Sequence, residues 1–195
     1  MNYSECIENA RTRIGNYCKA CPECNGRACK NQMPGPGAKG IGDTAIRNYD
    51  KWKEIRVQMD TIAENKPVDT SLELFGKKFL YPFFAGPVGA VGLHYGDCLD
   101  DVRYNDILVS ACAKYGIAAF TGDGVDSNVM VAATKAIGKT DGIGIPTVKP
   151  WNIDTVAEKM KMVQESKAFA VAMDVDAAGL PFLKNMEPPA GSKTV

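Results

Sequence analysis

From Tyr81 onward the chain alternates short apolar runs with amphipathic stretches, and each apolar run stops at a group of small or charged residues. Tyr81–Ala85 ends at Gly86-Pro87, and Ile117–Phe120 ends at Thr121-Gly122-Asp123-Gly124. Ile143–Val148 ends at Lys149-Pro150, and Ala168–Met173 ends at Asp174-Val175-Asp176. Helical stretches follow the first three runs, at 100–115, 126–137 and 153–166. A run that is apolar at every position is a strand buried on both faces, so this alternation predicts a parallel sheet covered by helices. A doubly wound open sheet and a (β/α)₈ barrel both satisfy it. Four strand–helix units are half of a barrel, which takes about 250 residues. Ser192 reads as the N-cap of a fourth helix three residues before the end of the sequence. The expectation from the pattern is therefore an α/β protein of one of these two architectures, preceded by a cysteine-rich segment.

Two compositional regions precede and contain these units. Residues 1–43 are rich in Cys, Gly, Pro and Asn, and residues 44–195 carry the periodic pattern. At the head of the second region, Asp43 or Thr44 can cap a helix running to about Glu64, with Ile46, Tyr49, Trp52, Ile55, Met59 and Ile62 near a helical period. The string Leu72-Glu73-Leu74-Phe75-Gly76-Lys77-Lys78-Phe79 predicts a short hairpin turning at Gly76.

In either architecture chemistry sits at the C-terminal ends of the strands. There the small residues of Gly86–Ala90 and Thr121–Gly124 would admit a flat ring against backbone, and Lys149 could neutralise charge on a reduced cofactor. Equally, these glycines can be turn residues and Lys149 a solvated lysine. Asp174 and Asp176 lie two apart on a strand end and point the same way; they can share a proton or bind a metal, or one of them can cap a turn. His94, the single histidine, reads as a packing or hydrogen-bonding residue.

The densest local motif is Cys18-x2-Cys21-x2-Cys24-x4-Cys29. Four thiolates at this spacing can close around tetrahedral zinc or an iron–sulfur cluster. In a reducing compartment such crowding points to metal rather than disulfides, with free thiols as the alternative. Cys98 and Cys112 read as structural. Gly35-x-Gly37-x-x-Gly40 matches a dinucleotide-binding pattern but has no strand before it, so it reads as an irregular loop.

Lys plus Arg and Asp plus Glu are both 23, so charge points to no nucleic-acid partner. The polar start is no secretory signal, and no apolar run approaches the roughly 20 residues of a membrane span. The expected location is the cytoplasm.

From Asp69 onward the order and spacing of these segments resemble the FMN-dependent α-hydroxy-acid dehydrogenase and oxidase family. The resemblance is carried by Gly37–Asn48, the hairpin at Ser71–Gly76, Tyr81–Pro87, Gly116–Thr121 and Ala170–Asp176, and it covers roughly residues 37–185. Within that family the chain is similar to a cysteine-rich, anaerobe-type branch, the alpha-hydroxy-acid oxidizing proteins. The resemblance implies the first half of a (β/α)₈ TIM barrel preceded by the cysteine-rich segment, with FMN across the barrel mouth. It implies backbone contact from Pro87, Val88 and Gly89, and further cofactor contacts from Thr121, Gly122, Lys149 and Asp174. Lys149 stands where the family has Gln, and Asp174 stands where it has Thr. The family's substrate-binding tyrosine and arginine have no counterpart here.

In the family a strand-five lysine, a strand-six histidine base and the phosphate-binding loops would lie beyond Val195. The implied reaction is oxidation of a small 2-hydroxy acid, with proton removal by that histidine and hydride transfer to flavin N5. The implied partner, besides the small-molecule substrate, is the missing C-terminal half-barrel or a second copy of the chain. The alternative is a metal-binding module on a non-catalytic half-barrel scaffold.

Overall fold

A computed structural model describes residues 2–15, 18–29, 43–124 and 126–175. The glycine-rich loop at 35–40, Asp176, the cap expected at Ser192 and the side chain of His94 lie outside the described residues. Two compact units form, Met1–Val68 with Val91–Asp100, and Asp69–Ala90 with Asp101–Val195.

Among the described residues the first unit contains three helices: α1 (Tyr3–Arg11), α2 (Thr44–Trp52) and the short α3 (Val91–Tyr95). Helix α1 starts in a capping box. The Asn2 side chain accepts from the Glu5 amide, and the Glu5 carboxylate accepts from the Asn2 amide. This Asn-x-x-Glu signature was legible in a segment that periodicity alone left irregular. Helix α2 is shorter than its amphipathic pattern predicts, because it ends at Trp52 rather than near Glu64. The physical reason is that, among the described residues, the part of the apolar stripe beyond Trp52 is left uncovered. No α2 residue is buried, Ile55 and Met59 are exposed, and Ile62 is 97% exposed. Long-range ties in this unit are polar: Tyr3 Oη donates to the Pro22 carbonyl, Tyr49 Oη to the Glu23 carboxylate, and Arg27 to Asp50.

The second unit holds the sheet. The hairpin forms as the sequence predicts, with β1 (Leu72–Leu74) antiparallel to β2 (Lys77–Phe79). Its two turn residues, Phe75 and Gly76, both have positive φ, 48° and 74°. That conformation matches the twist of a two-residue hairpin and costs Gly76 nothing. Phe79 is buried against Phe84 and Phe169, with ring centroids 4.8 and 5.4 Å away. These aromatics precede the parallel strands, so the hairpin lies at the N-terminal end of the sheet.

The parallel strands are β3 (Phe120–Thr121), β4 (Ile145–Val148) and β5 (Ala172–Met173), in the order β3-β4-β5. The run predicted as the first strand contributes a parallel bridge, Ala85 to Ala119. Strand order follows chain order with no reversal. The helices α4 (Asp101–Lys114), α5 (Ser127–Gly138) and α6 (Ile153–Glu165) fall where the sequence places them, and each packs on the next. Asp126 and Asn152 cap α5 and α6, accepting from the amides of Asn128 and Thr155. The result is a mixed α/β unit with a parallel sheet.

Two apolar clusters glue helices to sheet. Val109, Cys112, Ala119, Ala136 and Ile137 form one; Met130, Val148, Trp151 and Val163 form the other. Burial of each large side chain stabilises the fold by roughly 1.5–3 kcal/mol. Cys112 is structural, as expected, and burial pushes its thiol pKa up. Tyr104 is pushed up by burial first and by the neighbouring Cys112 second. No helix among the described residues is long and apolar enough to cross a membrane.

Candidate functional site at the strand ends

Strand alternation decides what the C-terminal ends of the strands present. Ala119 and Val148 pack into the helix-side clusters, so their face of the sheet is the back. Thr121 and Asp123, two and four residues after Ala119, continue on that back face. Thr147 and Lys149 alternate with Val148 and take the front, as do Ala172, paired with Thr147, and Asp174.

On the front, Lys149 Nζ donates to Asp174 Oδ2 at 2.6 Å, with side-chain exposures of 14% and 30%. The backbone places both partners, because the Asp174 amide donates to the Val148 carbonyl at 2.9 Å. The sequence reading left Lys149 as a candidate counter-charge for a reduced cofactor. In the fold it already has a carboxylate partner, so the pair together carries no net charge. Two residues earlier on the same face, the buried Thr147 hydroxyl has no hydrogen-bond partner among the described residues.

On the back lies a polar centre that the sequence reading missed. The Asp123 carboxylate is fully buried and accepts three hydrogen bonds. The Lys149 amide reaches Oδ2 at 2.9 Å, Trp151 Nε1 reaches Oδ2 at 2.6 Å, and Lys159 Nζ reaches Oδ1 at 2.7 Å. The Lys159 ammonium also sits 5.5 Å from the centroid of the Trp151 ring. Burying an ion pair is costly unless the remaining lone pairs are satisfied, and here the amide and the indole satisfy them. Lys159 carried a signal: a lysine at an inward position of an amphipathic helix. Its partner could not be read locally.

The other predicted cofactor residues divide by exposure. Gly86 and Pro87 are exposed, and Val88 and Gly89 half-buried, at the edge of the site. Thr121 and Gly122 are buried. Gly122 is small for a reason internal to the fold, since a Cβ there would overlap the Val88 carbonyl. Gly89 lies against the Asp123 carbonyl, 3.3 Å from where its own Cβ would be. The segments carrying Pro87, Val88, Gly89, Thr121, Gly122, Lys149 and Asp174 are thus brought to one end of the sheet.

The four motif cysteines are not gathered into a centre. Among the described residues no group of three or more Cys, His, Asp or Glu side chains is placed to hold a metal. Cys18, Cys21, Cys24 and Cys29 are free thiols. Cys18 Sγ accepts from the Ala20 amide and Cys29 Sγ donates to the Gly26 carbonyl. This arrangement gives the expected zinc or iron–sulfur site no support. Cys98, expected to be structural, is exposed, with its Sγ 3.6 Å from the Arg13 carbonyl.

An α/β unit whose parallel strands deliver backbone, a cation and a carboxylate to one end has the layout of a cofactor-dependent enzyme. A family profile described as FMN-dependent dehydrogenase matches residues 35–185, and the chain belongs to that family. The family supports FMN as cofactor and oxidoreductase chemistry in the broad sense. A comparison with curated proteins finds no match.

Proposed function

We propose that the strand ends of the second unit form part of the FMN site of an oxidoreductase that oxidises a small 2-hydroxy acid. The observation that carries this reading is the Lys149–Asp174 pair, seated at the C-terminal ends of adjacent parallel strands on the face away from the helices. The residues present suit a flavin in kind. Exposed backbone at Gly86 and Pro87 offers contact to a flat ring, Lys149 offers a cation to its polar edge, and the unpartnered Thr147 hydroxyl offers a buried donor. Bound FMN supplies a two-electron acceptor. On this reading Pro87, Val88, Gly89, Lys149 and Asp174 line the site, and Thr121 and Gly122 support it from behind. Oxidising the alcohol carbon of a 2-hydroxy acid to a 2-oxo acid removes a hydride, which would pass to bound FMN, and a proton, which the strand-six histidine implied by the resemblance would take; Lys149 would orient the anionic substrate or the flavin edge.

The chain-ordered sheet with its helices packed in sequence supports the first strands of a (β/α)₈ barrel over a doubly wound sheet, which requires a reversal of strand order. Among the described residues, Ala85 and β5 are the edges of that sheet. A further half-barrel, or a second copy of the chain, is the partner that would cover them. Seven free thiols fit a reducing compartment, and the cytoplasm is the location we propose.

The test is titration of FMN into the protein with flavin fluorescence as the readout, followed by anaerobic addition of a panel of small 2-hydroxy acids. Saturable quenching, weakened by Lys149→Met, is the expected result, and bleaching of the flavin's visible band by one of the acids is expected where the strand-six histidine base is also supplied. Absence of saturable quenching would remove the reading.

A further inference from the structure

We propose that Asp123 is a positioning residue: from the helix side of the sheet it fixes the backbone of Lys149, and thereby the place of the Lys149 ammonium at the flavin site. The inference rests on the reading of the strand ends as an FMN site.

Three observations carry it. The first is the direction of the contacts. Asp123 does not touch the Lys149 ammonium, which is bonded to Asp174 on the front; it takes the Lys149 amide from behind. The second is how the loop after β4 is tethered. Pro150 has no amide to donate, and the Trp151 amide turns back on the Lys149 carbonyl at 2.8 Å. Two bonds to Asp123 Oδ2, from the Lys149 amide and the Trp151 indole, tie this loop to the segment that follows β3. The third is the choice of chemistry. A buried Asp–Lys pair adds no more stability than a well-packed apolar pair of the same size, and often less. An apolar side chain at 123, however, could not accept a hydrogen bond from a backbone amide. The acceptor is what the position supplies, and Lys159, 7% exposed, is the buried cation paired with that carboxylate. The main chain of Asp123 also abuts Gly89, so the same residue joins the Pro87–Gly89 segment to the Lys149 loop.

The decisive comparison is between two double variants of the full chain. Asp123→Leu with Lys159→Met replaces the ion pair by an apolar pair and removes the acceptor. Asp123→Asn with Lys159→Met also removes both charges but keeps a carbonyl oxygen for the Lys149 amide. A third variant, Trp151→Phe, deletes the indole donor alone. Circular dichroism and thermal melts first establish that each is folded. Two readouts follow: the rate of reductive methylation of Lys149, followed by mass spectrometry without any ligand, and the FMN dissociation constant from fluorescence quenching.

The Leu/Met variant should methylate Lys149 faster and bind FMN roughly tenfold more weakly, the size of one lost charge-assisted hydrogen bond. The Asn/Met variant should recover most of both, and Trp151→Phe should fall between. Adding Lys149→Met to the Leu/Met variant should weaken FMN binding no further. Folded Leu/Met and Trp151→Phe variants with unchanged methylation rates would overturn the proposal. So would an Asn/Met variant as impaired as the Leu/Met one. If the unmodified protein binds no FMN, the functional reading fails by itself, and the methylation rates alone still decide whether Asp123 positions Lys149. If Leu/Met proves unfolded, Trp151→Phe carries the test.

Discussion

The two units of this chain make opposite use of their conspicuous residues. The first contains the sequence's densest motif, four cysteines between Cys18 and Cys29, yet their sulfurs stay apart and bond to nearby backbone or stand free. Its buried hydrophobic residues, among those described, are Ala20 and Val91. The second unit has no motif of comparable density. It nevertheless concentrates the core and, at the strand ends, two ion pairs on opposite faces of one sheet. The difference teaches that a polar constellation is assembled by rigid packing around it rather than by density along the chain. Strand register holds Lys149 and Asp174 to their places, whereas among the described residues the cysteine segment has no sheet or buried helix to impose a geometry.

That contrast is open to direct test. The largest effect is expected at Asp123. Asp123→Ala leaves Lys159 buried without its partner and should cost about 3–5 kcal/mol, read as a lowered urea midpoint. A change below about 1 kcal/mol would mean that water reaches the pair. Met130→Ala, in the fully buried cluster with Val148 and Trp151, should cost about 2–5 kcal/mol. The same truncation at exposed Ile62 should stay within about 0.5 kcal/mol. Equal losses at the two sites would erase the distinction between the units. Asn152→Ala removes the cap of α6 and should cost about 1 kcal/mol.

Thiol chemistry sharpens the comparison further. Exposed Cys6, Cys24 and Cys98 should react with a maleimide quickly, and Cys112 only on unfolding. Burial raises the Cys112 pKa, so folding favours its neutral form. That contribution is complete below the ordinary thiol pKa and is lost as pH rises through the folded value; Cys112→Ser should therefore flatten the alkaline limb of the stability profile. The smallest effect is expected from chelation. Treatment with a metal chelator should leave the melting temperature unchanged, and a clear drop would return a metal to the cysteine segment.

Much of the second unit was legible locally. Asp126 and Asn152 announce α5 and α6 because a cap needs only a side-chain oxygen two or three residues from an amide. The hairpin was legible because Gly76 accepts positive φ. Lys149 and Asp174 could be picked out because apolar runs stop at them. Helix α2 was over-extended because periodicity reports an amphipathic face, not whether anything covers it. Helix α1 went unnoticed because its signal was the Asn2–Glu5 capping box rather than an apolar stripe. The Asp123 centre was invisible because its donors lie 26, 28 and 36 residues away.

By itself, then, the amino-acid sequence determined the alternation of strand and helix, the positions of the caps and the turn, and which residues stand at the strand ends. These depend on interactions within a few residues, where sequence distance and spatial distance agree. Only the tertiary structure decided that Lys149 would meet Asp174, that Asp123 would grip the same loop from behind, and that the cysteines would remain separate. Those outcomes depend on which strands become neighbours and in what register, and a one-residue slip would exchange the front of the sheet for its back.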